Sequence, residues 1–302
     1  MFRSTRKIFE ILLFIFMIFS QTVIYVTSDE TEPLATLELI VYSDTHLKFG
    51  KEIAEQLALI GLEILVEQIE GEIEYELKLK TGNYDLAMVT FTETTTDPDL
   101  SHIYAPEGLY NYFGINTIIP YGNISKTLLD EGIFITNITE KQNHYYEWQE
   151  IIVDKIIPIL PFFSLTGRNE DLPYSYDLLA FNLESSFWGG SNHFIWLDTL
   201  GKAEYTIGLA IRKAICYCIN RIEINEKLHK NTYTINHSPI SYYLEFYYYE
   251  DILKYENNIE KAFEWLEAAG FEDVTAYESS FTYFSIIAFP LVVIYYKRRK
   301  NK

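Results

Sequence analysis

Cysteine is nearly absent from this 302-residue chain. Cys216 and Cys218 are the two it has, and positions two apart on a helix point away from each other. A disulfide between them is disfavoured, and a Cys-x-Cys metal site lacks its other ligands. Two small buried helix residues are the better reading. Basic residues are also few. With 24 Lys plus Arg against 43 Asp plus Glu the formal charge is −19, which excludes a nucleic-acid binder held by phosphate attraction, because such proteins need a basic surface to release counterions. Catalytic signatures are missing as well. No Gly-x-Ser-x-Gly elbow, phosphate-cradling Gly-x4-Gly-Lys-Ser/Thr loop or His-Glu-x-x-His helix occurs, and His46, His102, His144, His193, His229 and His237 show no ligand spacing. Carboxylate pairs can be drawn anywhere among 43 acids, so a solvated acidic face is preferred to a catalytic dyad. The expectation is a protein without enzymatic activity, cofactor or metal, although dispersed residues can still assemble a triad.

What is present is a folded composition, 48% hydrophobic and 22% charged, at a length that suggests about two domains. The 25 Tyr and 20 Phe suit an aromatic binding cleft or, equally, a coding bias that also enriches Ile, Asn, Glu and Lys. Basic residues gather at the two ends, each beside an apolar run. In residues 1–28, Arg3, Arg6 and Lys7 precede the unbroken run Ile11 to Phe19, which resumes at Val23 to Val26. This is a secretory signal or, since no Ala-x-Ala site follows, an uncleaved N-terminal anchor. Residues 279–296 carry no charge and close on Tyr295 and Tyr296, ahead of the basic tail 297–302. At ~1.5 Å per residue the run spans about 27 Å, enough for a hydrocarbon core of about 30 Å with local adjustment. Pro290 within it is tolerable in a membrane. A buried core helix is the alternative, and the abrupt basic stop favours the transmembrane helix by the positive-inside rule. Both basic ends then lie in the cytoplasm, and the acidic body lies on the extracytoplasmic side of the cell membrane. Three Asn-x-Ser/Thr acceptors, Asn123, Asn137 and Asn236, agree with that placement.

Between the ends the clearest pattern is a β-α-β unit. Leu37 to Tyr42 reads as a strand, Ser43-Asp44-Thr45 supplies N-cap candidates, and Ile53, Ala54, Leu57 and Ala58 make the apolar stripe of a helix that Gly61 stops. Leu62 to Ile69 returns as a strand parallel to the first. After a short segment to Lys80, Tyr84 to Phe91 is a third strand, so the fold class is α/β. Thr92 to Ile138 is irregular, with Asp97-Pro98, Ala105-Pro106 and Pro120-Tyr121-Gly122 as turn signals. Tyr145, Trp148, Ile152 and Ile156 then recur at helical spacing until Pro158. Ile159 to Ser164 reads as a strand confined to an edge or terminus by Pro161, and Asp177 to Asn182 can be another. A second helical region follows. Ile207, Ala210, Ile211, Ala214, Ile215 and Cys218 form one stripe with Arg212 and Lys213 facing away. Capping boxes are expected at Asn220 with Glu223 and at Asn257 with Glu260, the latter opening a helix that ends at Gly270.

Two of these patches carry a resemblance. Tyr42-Ser43-Asp44-x-His46, the Ile60-Gly61 turn, Gly82-x-Tyr84-Asp85-Leu86 and Asp97-Pro98 form the first. The second comprises Ile211-Arg212-Lys213-Ala214, Ile219-Asn220-Arg221-x-x-Ile224, Ser238-Pro239-Ile240 and Ala268-Ala269-Gly270-Phe271. Together they cover a little over half the chain and resemble the second lobe of extracellular solute-binding proteins of family 5, which carry oligopeptides, dipeptides, nickel complexes or sugars to ABC transporters. The order departs from the family, whose members present the Arg-Lys-Ala patch first. The resemblance therefore implies a lobe like those of type II periplasmic binding proteins, a mixed sheet flanked by helices. Its second-lobe segments, 36–165 and 207–271, are permuted around an irregular return segment 166–206. It implies a membrane-anchored solute-binding protein, or a lobe of one, with a peptide or other small solute and ABC permease subunits as partners. A separate chain could supply the first lobe. The alternative is a degenerate surface or interaction protein that keeps the lobe fold without ligand binding. In peptide binders of the family an Asp three residues after the strand's aromatic holds the ligand's α-amino group. Counting from Phe91, that place falls on Thr94, which cannot pair an ammonium, so Glu93 would have to substitute. Phe91, Glu93 and Thr94 are thus the implied ligand-binding residues, with an ordinary polar loop as the other reading.

Overall fold

Leu39, Ile40 and Val41 are wholly buried in strand β1 (Ala35–Val41), which explains a run of apolar residues without alternation: both faces of the strand are covered. Helix α1 (Asp44–Ala58) follows directly. The Ser43 hydroxyl accepts from the His46 backbone N–H at 3.1 Å as its N-cap, and Phe49, Ile53 and Leu57 form its buried face. Gly61, at φ 77°, turns the chain into β2 (Leu62–Gln68), which pairs parallel with β1 from Ala35↔Leu62 to Val41↔Gln68. Helix α2 (Glu72–Thr81) leads to β3 (Leu86–Glu93), parallel to β1 on its other side. The computed structural model describes residues 32–93, 96–164 and 174–271. Those from Leu34 onward belong to one compact unit. The expected signal or anchor 1–28, transmembrane helix 279–296 and tail 297–302 lie outside the described residues, and among the described residues no helix is long and apolar enough to cross a membrane.

A single turn, α3 (Ser101–Tyr104), and helices α4 (Gly122–Gly132) and α5 (Ile138–Glu150) come next, and α5 runs on as a π-helical turn, Ile151–Ile156. Strands β4 (Ile159–Ser164) and β5 (Tyr174–Phe181), helices α6 (Ile207–Cys218) and α7 (Arg221–His229), the short β6 (Thr234–Ile235) and helix α8 (Ile259–Ala268) complete the described body. The six strands form one mixed sheet in the order β2-β1-β3-β5-β4-β6, with β5 antiparallel to β3 and β4 antiparallel to both β5 and β6. The fold is therefore α/β, a mixed six-stranded sheet flanked by helices.

The late helices dock on the early ones. The Gln56 side-chain carbonyl accepts from Asn220 N at 2.7 Å, its backbone carbonyl accepts from Cys218 Sγ at 3.1 Å, and Lys227 bridges to Glu52 at 2.8 Å, fastening α6 and α7 to α1. Both patches thus share one hydrophobic core.

Several local expectations change. Arg212 and Lys213 do not face away: they are 1% and 2% exposed. The π-helical turn and the Trp188 loop cover that side of α6: Arg212 donates to the Ile156 and Trp188 carbonyls, and Lys213 pairs with Asp154. The N-cap of α8 is Asn258, whose side chain accepts from Lys261 N at 2.9 Å, rather than Asn257, which donates to the Cys218 carbonyl at 2.7 Å. The segment before Lys80 and part of the stretch to Ile138 are helical, as α2 and α4. Pro161 sits one strand in from the sheet edge. It is accommodated because β6 pairs with β4 at Phe163 and Ser164 alone, and because the β4–β5 register shifts between Pro161 and Phe163. Of the three glycosylation acceptors, Asn123 and Asn137 are exposed. Asn236 is fully buried with its amide donating to the Ser238 carbonyl at 3.0 Å, so it is no acceptor in the folded chain.

Candidate functional site

β1 pairs with β2 on one side and β3 on the other, so the direction of winding reverses between β1 and β3. Open α/β sheets bind ligands at such a switch point, beyond the carboxyl ends of the strands. A cavity of about 430 Å³ lies there, within the size range of small-solute sites. Tyr42 follows β1, His46 comes from the first turn of α1, and Glu72, Tyr75, Glu76 and Leu79 come from α2. Met88 to Thr92 of β3 form its wall, and His102, Tyr110 and Tyr112 close it from the loop beyond.

The wall is aromatic and well ordered by its own contacts. Phe91 stacks on Tyr112 with centroids 6.3 Å apart and rings 9° from parallel, Tyr110 meets both edge-on at 6.4 and 6.0 Å, and Tyr42 stacks on Tyr75 at 5.8 Å. Tyr75 is anchored by donating its hydroxyl to the Met88 carbonyl at 2.6 Å. Burial, followed by the charge of Glu76, pushes the Tyr112 phenol up to about 12. The Tyr112 ring therefore stays a neutral phenol at physiological pH.

Polar groups meet at the floor. Asp177 Oδ1, on β5, accepts from the Thr90 hydroxyl at 2.6 Å and lies 3.2 Å from His46 Nε2, which is also 3.2 Å from Thr90 Oγ1. Asp177 and His46 are 4% and 8% exposed. Because Thr90 spends its proton on Asp177, both oxygens near His46 Nε2 are acceptors there, and Nε2 carries the proton. In the neutral ring Nδ1 is then an acceptor, and it is buried without a hydrogen-bond partner. Among the described residues no three His, Cys, Asp or Glu side chains converge as a metal site.

Of the implied ligand residues, Phe91 lies in the cavity wall. Glu93 is the last residue of β3, in register with Tyr174, and Thr94 lies outside the described residues. Sequence reasoning passed over His46 and Tyr42 as site residues, although they open the Tyr-Ser-Asp-x-His patch. It also passed over Asp177, whose signal is a lone carboxylate inside the apolar strand Tyr174–Phe181.

Three buried cations elsewhere in the body are structural. Arg221 donates to the carbonyls of Pro161, Asn236 and Tyr255, tying β4, the segment after β6 and the approach to α8 together. Arg212 donates to the Ile156 carbonyl at 2.9 Å and the Trp188 carbonyl at 3.4 Å. Burial holds these guanidiniums down to about 10 and about 9. Lys213 pairs with Asp154. A second hollow, of about 360 Å³, carries Asp154 and Lys155, and these are committed to each other and to Lys213 and Glu204.

The sequence matches no known protein family and no curated protein, and the structure matches no solved structure.

Proposed function

We propose that this chain is a membrane-anchored, extracytoplasmic solute-binding protein, or one lobe of one, that serves an ABC-type importer without catalysing a reaction. In this reading the body corresponds to the second lobe of a family 5, type II periplasmic-binding-protein fold, with its two segments permuted. The observation that carries the proposal is the cavity at the β1–β3 switch point, with Phe91 in its wall. Neighbouring surface supports a partner. Ile73 and Leu77 of α2 are 85% and 59% exposed beside the cavity residues Glu72 and Glu76, an apolar strip suited to a first lobe carried on a separate chain or to a permease subunit. A cavity on one lobe leaves much of a solute in water, while the ordering costs of binding persist.

Calorimetric titration of the full chain in micelles with a mixed dipeptide and oligopeptide library tests the reading. Binding weaker than about 1 µM, or −8 kcal/mol, is expected from the chain alone, with tightening when a partner lobe is added. Submicromolar binding by the lone chain would refute the single-lobe account. Solute binding in neither setting would favour the degenerate interaction protein instead. Glu93→Gln should weaken ligands with a free amino terminus more than blocked ones, and equal effects would remove Glu93 from the site. For the placement at the membrane, protease added to intact cells should cleave the body, and protection would overturn it.

A further inference from the structure

Taking the cavity as a solute site, and resting on that reading, we infer that its ligand is an organic ammonium ion rather than a zwitterionic peptide or an anion. The argument begins with what the lining lacks. Among the described lining residues there is no Lys, Arg, Asn or Gln, so a ligand carboxylate or phosphate would enter without a cation to meet it, and burying an unpaired charge is costly.

What the lining has is the complement of a cation. Five aromatic rings surround the space, with Phe91, Tyr110 and Tyr112 packed against one another and Tyr42 packed on Tyr75. The negative faces of neutral aromatic rings attract an ammonium while their area covers its alkyl groups. Two carboxylates, Glu72 and Glu76, stand at the α2 side. Lys80 bridges Glu76 at 2.7 Å, and Glu72 has no such partner among the ion pairs of the described residues. His46, more than nine-tenths buried and part of the lining, is held through Nε2 by Asp177 and Thr90. The resulting ligand presents its charge to the rings and carboxylates.

A matched set of probes tests this on the full chain in micelles by ligand-observed NMR titration, which reads weak binding. Choline is the cation. In 3,3-dimethylbutan-1-ol a carbon replaces the quaternary nitrogen, giving a neutral molecule of the same shape, and glycine betaine carries a carboxylate in place of choline's hydroxymethyl group. Choline should bind at least about tenfold more tightly than either, a difference of about 1.4 kcal/mol. The paired changes Glu72→Gln and Glu76→Gln, neither of them in the buried core, should cut the preference for choline over the alcohol severalfold. Equal binding of choline and the alcohol, or a preference unaltered in the double variant, overturns the proposal. Binding of dipeptides or glycine betaine without choline overturns it too but leaves the solute-binding reading standing. Binding of no probe and no peptide overturns both.

Discussion

Removing the Asp154 carboxylate should cost this protein a large part of its stability, because the ammonium it serves has nowhere to go. Lys213 is 2% exposed. Besides Asp154 its Nζ has the Tyr255 hydroxyl at 3.3 Å and the rings of Tyr205, Trp265 and Tyr255 at 4.5, 5.2 and 5.6 Å. Rings and one hydroxyl do not replace a carboxylate. Breaking a buried pair from one side typically costs about 3–5 kcal/mol, against a total stability of about 5–15 kcal/mol. For a body of this size that corresponds to a Tm drop on the order of 10 °C. Asp154→Ala can be followed by urea denaturation of the full chain in micelles, read by fluorescence of the buried Trp148 and Trp188. Two controls isolate the cause. Lys213→Met should cost less, because Asp154 keeps Lys155 at 2.9 Å and the Tyr205 hydroxyl at 3.0 Å. Combining Lys213→Met with Asp154→Leu should return most of the loss, since apolar replacement of a buried pair is often neutral. pH supplies a third test. Burial outweighs the attraction of Asp154 and holds the Lys213 ammonium below the usual lysine range. Between that folded value and the ordinary one the unfolded chain binds more protons than the folded chain, so this group's contribution rises with pH. The Asp154→Ala defect should therefore shrink as pH climbs toward the lysine range. A loss below about 1 kcal/mol, or a double variant no better than Asp154→Ala, would refute the reasoning.

Gly208→Ala should destabilise by about 1–3 kcal/mol, because an added Cβ would lie 2.0 Å from the Trp188 carbonyl oxygen; an unchanged urea midpoint would show that the loop moves aside freely. Cys216 and Cys218, both buried and with thiols pushed up to about 12 chiefly by burial, should resist a thiol reagent in the native state and react on unfolding. Rapid native labelling would contradict their placement. Acid should weaken the fold well before the carboxylates titrate. Burial, then the charge of Arg212, holds His193 down to about 4, and burial with Arg221 and Lys254 holds His237 down to about 3. From about 6.5 downward the unfolded chain gains protons that the folded chain refuses, so stability present above about 6.5 is lost as pH falls toward those values. His193→Gln, whose amide can keep the donation to the Leu183 carbonyl, should flatten that slope, and an unaltered slope would remove His193 from the account.

Periodicity made the β1-α1-β2-β3 unit legible because each element there follows its own repeat and the cap residues stand at its ends. Helix α2 shows where that signal fails. Its apolar residues Ile73, Tyr75, Leu77 and Leu79 alternate as in a strand, yet the chain is helical and buries only Tyr75 and Leu79, four apart, leaving Ile73 and Leu77 in solvent. The Tyr75–Met88 hydrogen bond shows the tertiary contact that decides the matter. Helix α4 was hidden for another reason: Pro120-Tyr121-Gly122 reads as a turn, and it is the turn from which the helix starts. At α6 the polarity of Arg212 and Lys213 suggested a solvated face. Charged side chains can be buried where carbonyls or a carboxylate wait for them, and those partners come from segments 24 to 59 residues away.

The same distinction separates the two halves of the candidate site. Phe91 could be placed from the sequence, because the carboxyl end of a parallel strand is a general property of the topology. The His46–Asp177 contact could not, since it joins residues 131 apart, and no spacing rule connects a helix N-terminus to a strand so far along the chain. It exists because β5 enters the sheet antiparallel beside β3 in the register that sets Asp177 opposite Thr90. A slip of one residue would turn the carboxylate to the opposite face of the sheet and put an apolar neighbour, Tyr176 or Leu178, in its place. His46 would then lose its orienting acceptor while remaining buried, at a cost of about 1–3 kcal/mol. The cavity's polar floor and the strand register therefore stabilise one another, and the acceptor left free on His46 is a consequence of how the sheet is paired.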